Sequence, residues 1–440
     1  SKQMNYKVLL CNWGNSFNLS KTIFSEKKIK IFEIKINDLN SIYNHKNLMN
    51  INGLAWNHEY CNQEEYKFIL KESAELYECL SRQYRMEALK RMSIQDYQDR
   101  LRSQYILLKK LLIDFNPNVV FFGNIPHEGY DIVLANLCRY LKISYYAAYQ
   151  LPFIPRFIIL KGPIEEYRWS FNQILKNQYV ELLNNEKKYI ENYIQSLFGK
   201  QKYFYMRNTR TKGLPNFKDI FILKNSLIAF IYNVFKIISC RIKHFYYKQY
   251  SKRYTKGFKN FHFDKPFIYL ALHLQPEMST SALGGIYNDQ TILISELAKI
   301  AQANNIYLII KDNPKQSFSH RSKKYFELIN KYKNCYIAPI EVSSHKLINQ
   351  SILVATVSGT VGPEALICNK YAYCAGNTWW KKYTNVIRDK NELISYLQNQ
   401  KYNTIPDNNK SFHKYLTNYA LYSWKGITDA NYCKNFEMTN

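Results

Sequence analysis

In the stretch ILVATVSGTVGPEALICNK, residues 352–370, a short β-branched run ends in Ser358-Gly359-Thr360 and turns at once into a helix. Such a turn points backbone N–H groups and the positive end of a helix dipole at whatever sits there, the arrangement that holds a phosphate. Glu364, about one turn into that helix, is placed to accept hydrogen bonds from ribose hydroxyls. Taken alone, the turn is also what any α/β domain uses, so its neighbours decide. LHLQPEMSTSALGGIYNDQ (272–290) sets His273, Gln275, Glu277 and Asp289 around a Ser/Thr/Gly-rich segment too polar for a core. A polar loop of that length inside a compact domain is usually functional. KDNPKQSFSHR (311–321) offers Lys311, Lys315 and Arg321 to a phosphate, although charge alone also fits a basic surface turn. PHEGYD (126–131) brings His127, Glu128 and Asp131 together as acid–base candidates.

The elements that must carry these loops alternate between strand and helix. Strands are expected at 6–13, 28–36, 118–125 and 144–150 in the first half, with helices over 62–90, 93–114 and 130–143. In the second half strands are expected at 267–274, 306–311, 335–339, 352–357 and 371–376, and helices at 289–305, 323–334 and 344–350. Alternation of this kind builds parallel sheets wound by helices, once per half. The expected division is 1–217, a basic and aromatic helical connector over 218–262, 263–405, and a helical tail over 406–440 that packs back on the first domain. In open α/β sheets ligands lie beyond the carboxyl ends of the strands, where all four loops fall.

A chain of 440 residues is too long for one ordinary core and fits two or three domains. The net charge of +27 implies a polyanionic partner such as nucleic acid, an anionic membrane or a phosphorylated substrate. No zinc finger, RNP-like strand or arginine-rich repeat accompanies it, so nucleic acid is not favoured. The 9 cysteines are scattered without a CxxC pair, which suits reduced core thiols in a cytoplasmic protein and neither a disulfide framework nor a zinc site. The longest apolar segment, 220–240, is interrupted by Lys224, Asn225, Asn233 and Lys236, and so reads as an amphipathic or inter-domain helix rather than a membrane span. The basic, aromatic sequence after it, 241–259, fits a surface that docks peripherally on an anionic membrane.

The set LHLQPEMSTSALGG, KDNP, TVSGTVGPEAL and CAGNTWW, with PHEGYD, resembles the bacterial capsule and surface-polysaccharide synthesis proteins related to the retaining Kdo transferases. The resemblance covers most of 265–382. It implies an α/β GT-B glycosyltransferase, two facing Rossmann-like domains with a cleft between them, using a CMP-activated 3-deoxy-ulosonic acid. Kdo, pseudaminic acid and legionaminic acid are the donors this implies, and a glycan or lipid-linked glycan is the acceptor. One departure stands out. The better-known Kdo and sialyl transferases carry His-Pro after this strand, where this chain has Asn313-Pro314. Asn can hydrogen-bond a phosphate oxygen but cannot carry a proton near neutral pH.

CMP is a good leaving group, so the donor chemistry asks for charge stabilisation more than for a strong acid. Ser358, Gly359, Thr360, Lys311 and Asn313 are the expected phosphate contacts, Glu364 the ribose contact, and Gln275 and Arg321 further donor contacts. No metal or cofactor is expected, since no DxD pair follows a strand. With retention, Glu277 is the expected nucleophile and Asp289 the second choice. With inversion, His127 or Asp131 is the expected base. Glu128 and Arg156 are the expected acceptor contacts. A GT-B enzyme with another nucleotide sugar and a non-catalytic glycan- or lipid-binding component of capsule export are the alternative readings.

Overall fold

In the computed structural model the described residues are 6–11, 29–34, 42–43, 45–72, 94–163, 169–177, 181–200, 227–275, 277–316, 321–401 and 408–429, with 404, 406, 432 and 436. They fall into two units. The first runs to Tyr193 and takes in the chain from Tyr415 onward, and the second holds Ile194–Lys414. The expected helix over 73–90, the start of the connector at 218–226, Pro276 and residues 317–320 lie outside the described residues.

Unit 1 carries a 7-stranded sheet. Strands β1 (Tyr6–Cys11), β2 (Ile29–Ile34), β3 (Val119–Phe122) and β4 (Ser144–Gln150) lie parallel in the order β2-β1-β3-β4. Val8, Leu9, Leu10, Val119, Val120 and Phe122 are buried, which is why β1 and β3 read as apolar runs rather than alternating ones. Beyond β4 the sheet turns antiparallel. β5 (Arg156–Lys161) pairs with β4, and β6 (Ile174–Leu175) pairs with β5. The chain also returns from its far end, where β13 (Trp424–Lys425) pairs with β5 through Trp424 opposite Phe157.

Unit 2 carries a wholly parallel 6-stranded sheet. Its strands are β7 (Phe267–Ala271), β8 (Tyr307–Lys311), β9 (Cys335–Ala338), β10 (Leu353–Thr356), β11 (Ala372–Cys374) and β12 (Val386–Ile387). The order β12-β11-β10-β7-β8-β9 is that of a Rossmann sheet, with β7 central and the winding reversing between β7 and β10. Tyr269 of β7 stands opposite Ile309 on one side and Val354 on the other. Leu293, Ile294, Leu297 and Ala298 of the helix Gln290–Ala303 close the core over Ile268, Leu270 and Leu308. The 28-residue helix Leu227–Tyr254 joins this core through Tyr247, while Tyr254 stacks on Phe326 with ring centroids 5.4 Å apart.

One expectation fails here. Arg156 is not an acceptor contact: it is fully buried, and its Nε and Nη2 each donate at 2.8 Å to the two oxygens of Glu186. Its Nη1 donates to the Ala420 carbonyl at 3.3 Å, so one guanidinium ties β5 to the helices Asn184–Gln195 and Asn409–Leu421. Burial pushes Glu186 up, but the Arg156 hydrogen bonds and the Leu183 amide outweigh it and hold the carboxyl below its ordinary value. The pair's stability is therefore present above the unfolded carboxylate range and lost on acidification. Removing one partner strands a buried charge. Arg156→Ala is expected to lose about 3–5 kcal/mol in urea denaturation. A loss below about 1 kcal/mol would contradict this role.

Candidate functional site

The loops after β7 and β10 meet at the point where the unit 2 sheet reverses, and His273 joins them. It stands two residues past the end of β7, buried, with its own N–H donating to Gln290 Oε1 at 2.8 Å. The Ser358 amide donates to His273 Nε2 at 3.1 Å, and Thr356 Oγ1 lies 3.0 Å from the same nitrogen. Because an amide can only donate, Nε2 is the acceptor and the proton sits on Nδ1, 3.1 Å from Ser279 Oγ. Burial pushes His273 down to about 4, with Glu277 opposing, so the ring is neutral near pH 7. Ser358 Oγ adds a bond to the Ser279 carbonyl at 2.7 Å.

The quoted motifs therefore interlock. Gly359 lies so close that a Cβ there would sit 2.9 Å from Thr356 Oγ1 and 3.1 Å from His273 Nε2. A Cβ on Gly362 would fall 2.3 Å from the buried Trp380 ring, which explains why CAGNTWW follows the turn. The Asn377 amide donates to Leu283 O at 2.8 Å and the Gly376 amide to Val357 O at 2.7 Å, closing the third motif onto the other two. The seven-residue helix Val361–Ile367 starts from this cradle.

Glu364 lies on that helix and is half-buried. Desolvation pushes its carboxyl up to about 8, with Lys311 opposing. No hydrogen bond to that carboxyl is found among the described residues. Lys311, at the end of β8, donates from Nζ to the Val342 carbonyl at 2.6 Å and to Ser344 Oγ at 2.9 Å, and Tyr269 Oη lies 3.3 Å from the same hydroxyl. Glu364, Lys311, Tyr269 and Ser344 thus form one polar group at the carboxyl edge of β7, β8 and β10.

Several expected donor contacts are occupied by structural work instead. Arg321 is buried and makes a bidentate pair with Asp312 at 2.8 and 3.0 Å, while its Nη1 donates to Gln275 Oε1 at 2.8 Å. Gln275 in turn reaches the Asn288 carbonyl, so both side chains fasten the loop after β7 to the loop after β8 rather than facing a phosphate. Asn313 Oδ1 accepts the Lys315 amide at 2.9 Å, closing a local turn. Asp289 is an exposed N-cap whose Oδ1 accepts the Thr291 amide at 2.9 Å, a sufficient reason for an acid there. The Ser358 and Gly359 amides expected at the phosphate already point to His273 Nε2 and, at 3.3 Å, to Thr356 Oγ1. Glu277 is the N-cap of the short helix Met278–Ser281 and half-buried, and its charge acts on His273. Its carbonyl accepts from the Thr280 and Ser281 amides at 2.9 and 2.8 Å.

In unit 1 the loop after β3 is folded around Asp131. That buried carboxylate accepts the amides of His127, Glu128 and Ile132 at 3.0, 2.7 and 2.8 Å, so it shapes the loop and is not open to a substrate as a base. Burial pushes it up to about 6, with His127 opposing. Gly129, at φ 99°, makes the turn before the helix Tyr130–Tyr140, a conformation costly for any side chain. His127 Nδ1 donates to the Ile125 carbonyl at 2.6 Å, and Nε2 lies 3.2 Å from Glu128 Oε1. With Nδ1 donating, Nε2 and the carboxylate meet favourably only with a proton between them, so the two form a proton-sharing pair.

Residues that the sequence left without a role are thus central. His273 appeared only as a flank of its loop, and Tyr269, Ser279 and Ser344 went unnoticed. The signal for His273 was its place just past a strand end.

No family model matches this chain, and no curated protein matches it. Solved structures do. A UDP-GlcNAc 2-epimerase from Methanocaldococcus jannaschii is 12% identical, covering 94% of this chain and 100% of that one, with a TM-score of 0.27. KpsC of Thermosulfurimonas dismutans, a beta Kdo 2,7 transferase, is 11% identical over 69% of this chain and 86% of that one, with a TM-score of 0.29. A UDP-forming alpha,alpha-trehalose-phosphate synthase from Burkholderia vietnamiensis is 10% identical over 99% and 100%, with a TM-score of 0.28. At these values the likeness carries no argument about ligand or reaction.

The His273 arrangement has a signature in pH. In the unfolded chain the ring takes a proton below about 6.5, whereas in the fold it stays neutral down to about 4. Stability is thus complete above the first value and falls as pH drops toward the second, by at most about 1.4 kcal/mol per pH unit. His273→Ala should lose about 1–3 kcal/mol at pH 7, because the Ser358 amide is left unpaired. It should also lose the His273 share of that slope. Urea midpoints across this range would show it, and an unchanged slope in the variant would contradict the assignment.

Proposed function

We propose that this chain is a glycosyltransferase that moves a 3-deoxy-ulosonic acid from its CMP-activated form to a growing surface glycan, with retention of configuration. The observation that carries the reading is Glu364: a desolvated carboxyl, with no hydrogen bond to it found among the described residues, at the reversal point of a Rossmann sheet. Leaving such a group without a partner costs stability, which a ribose diol donating two hydrogen bonds would recover. Lys311 beside it, with the dipole of the helix that begins at Val361, supplies positive potential for the phosphate. The ulosonic donor rests on the motif resemblance of 265–382.

In the proposed reaction the Glu277 carboxylate attacks the anomeric carbon as the bond to the CMP phosphate oxygen breaks. CMP leaves with the bonding electrons, and the acceptor hydroxyl then displaces Glu277 as a carboxylate while its proton passes to water. Glu277 suits this because it is half-buried beside the His273 cradle. An inverting course, in which a general base takes the proton of the attacking acceptor hydroxyl, is the second reading.

Two predictions separate these roles. Ribose hydroxyls bind the ionised carboxylate more strongly, so binding lowers the Glu364 pKa. CMP affinity should therefore rise with pH up to about 8 and level off above it. Calorimetric titration in Glu364→Gln should give weaker binding without that rise, and the variant should be more stable than wild type at pH 8, where the native carboxyl resists ionising. A variant with wild-type affinity and pH profile would remove Glu364 from the site. Glu277→Gln should keep CMP binding and lose transfer by roughly three orders of magnitude or more. Transfer at near wild-type rate in that variant would rule out the nucleophile and leave the inverting course.

A further inference from the structure

Among the described side chains of the helix Leu227–Tyr254, one apolar face is buried and a second is exposed. Ile237, Cys240, His244 and Tyr247 are buried and recur at spacings of three and four toward the unit 2 core. At roughly 100° per residue, Ile231, Phe235, Ile238, Ile242, Phe245 and Tyr246 fall on the opposite side. All six are exposed: Phe235 is 68% exposed, Phe245 58% and Ile242 50%. A soluble helix ordinarily turns polar residues outward, and scattered apolar ones need no explanation. A continuous stripe along four turns does.

The charge around the stripe identifies its partner. The helix holds Lys236, Arg241, Lys243, Lys248, Lys252 and Arg253 and not one Asp or Glu. Arg241, Lys248 and Lys252 fall along one border of the apolar stripe, Lys243 lies across it, and Lys256 and Lys259 follow. Among the described residues, no helix is long and apolar enough to cross a membrane. An exposed apolar face bordered by cations without acids is the pattern of a helix that lies in the interface of an anionic bilayer, its rings and branched chains among the acyl ends and its cations at the headgroups. A second copy of this chain would bring the same cations against each other.

We propose that the stripe Ile231–Tyr246 is a membrane-docking surface that seats unit 2 on an anionic lipid bilayer. This does not rest on the sugar-transfer reading, and it extends the expectation from the basic segment 241–259 by naming the apolar residues that insert.

The test is flotation of the full chain with vesicles of phosphatidylglycerol and phosphatidylcholine in equal parts, against vesicles of phosphatidylcholine alone. Wild type should float with the first and not with the second. The triple variant Phe235→Ser, Ile242→Ser, Phe245→Ser should lose binding about tenfold or more, with an unchanged melting temperature because these side chains are exposed. A second variant, Arg241→Gln, Lys248→Gln, Lys252→Gln, should weaken binding by roughly fivefold for each charge removed at low salt. Wild type that stays unbound, a triple Ser variant that floats as well as wild type, or equal flotation with neutral vesicles would each overturn the proposal. So would a dimer in sedimentation that the Ser substitutions break while flotation is unaffected.

Discussion

One hydrogen bond sets the geometry of unit 2: the Ser358 amide donating to His273 Nε2. It works only while the imidazole is neutral, since a protonated ring has no lone pair to accept with. Burial ensures that neutrality, and the bond then fixes the tautomer, the turn at 358–360 and the seat of Ser279. Gly359 has no side chain because the space is taken by His273 and Thr356. The start of the helix bearing Glu364, and so the position of that carboxyl, follows from this contact between the loops after β7 and β10.

Around the cradle, charge divides into two populations. Arg321 with Asp312 and Arg156 with Glu186 are buried, bidentate and mutually satisfied. Such pairs hold loops and helices in register and have little left to offer a ligand. Glu364 is the opposite case, desolvated and held up near 8 by its surroundings. Perturbed carboxyls of that kind cluster at functional sites. The contrast, rather than the number of charges, separates side chains that hold the fold together from one left with hydrogen-bonding capacity.

Much of the fold was legible because parallel strands buried on both faces announce themselves as short apolar runs. VVFF, YLIIK and LVAT are examples, and the alternation with helices gave two wound sheets. The two-residue strands β6 and β13 were not, since so short a strand carries no period and β13 lies far along the chain from its partner β5. The four loops were found by their polarity at strand ends. Their residues were harder to sort: a basic or acidic side chain in a loop looks the same whether it meets a phosphate or a buried countercharge. Arg321 was read as a donor contact and Arg156 as an acceptor contact, and both meet buried countercharges instead. The helix that bears Glu364 was legible because the turn before it carries the residue types of a helix start.

The most direct measurement is an experimental structure of the chain soaked with CMP and free of added metal. The expected result is the ribose hydroxyls against the Glu364 carboxyl, the phosphate within reach of Lys311, and His273 still accepting the Ser358 amide. Nucleotide bound instead at the 126–131 loop of unit 1, or bound in unit 2 without touching Glu364, would contradict it.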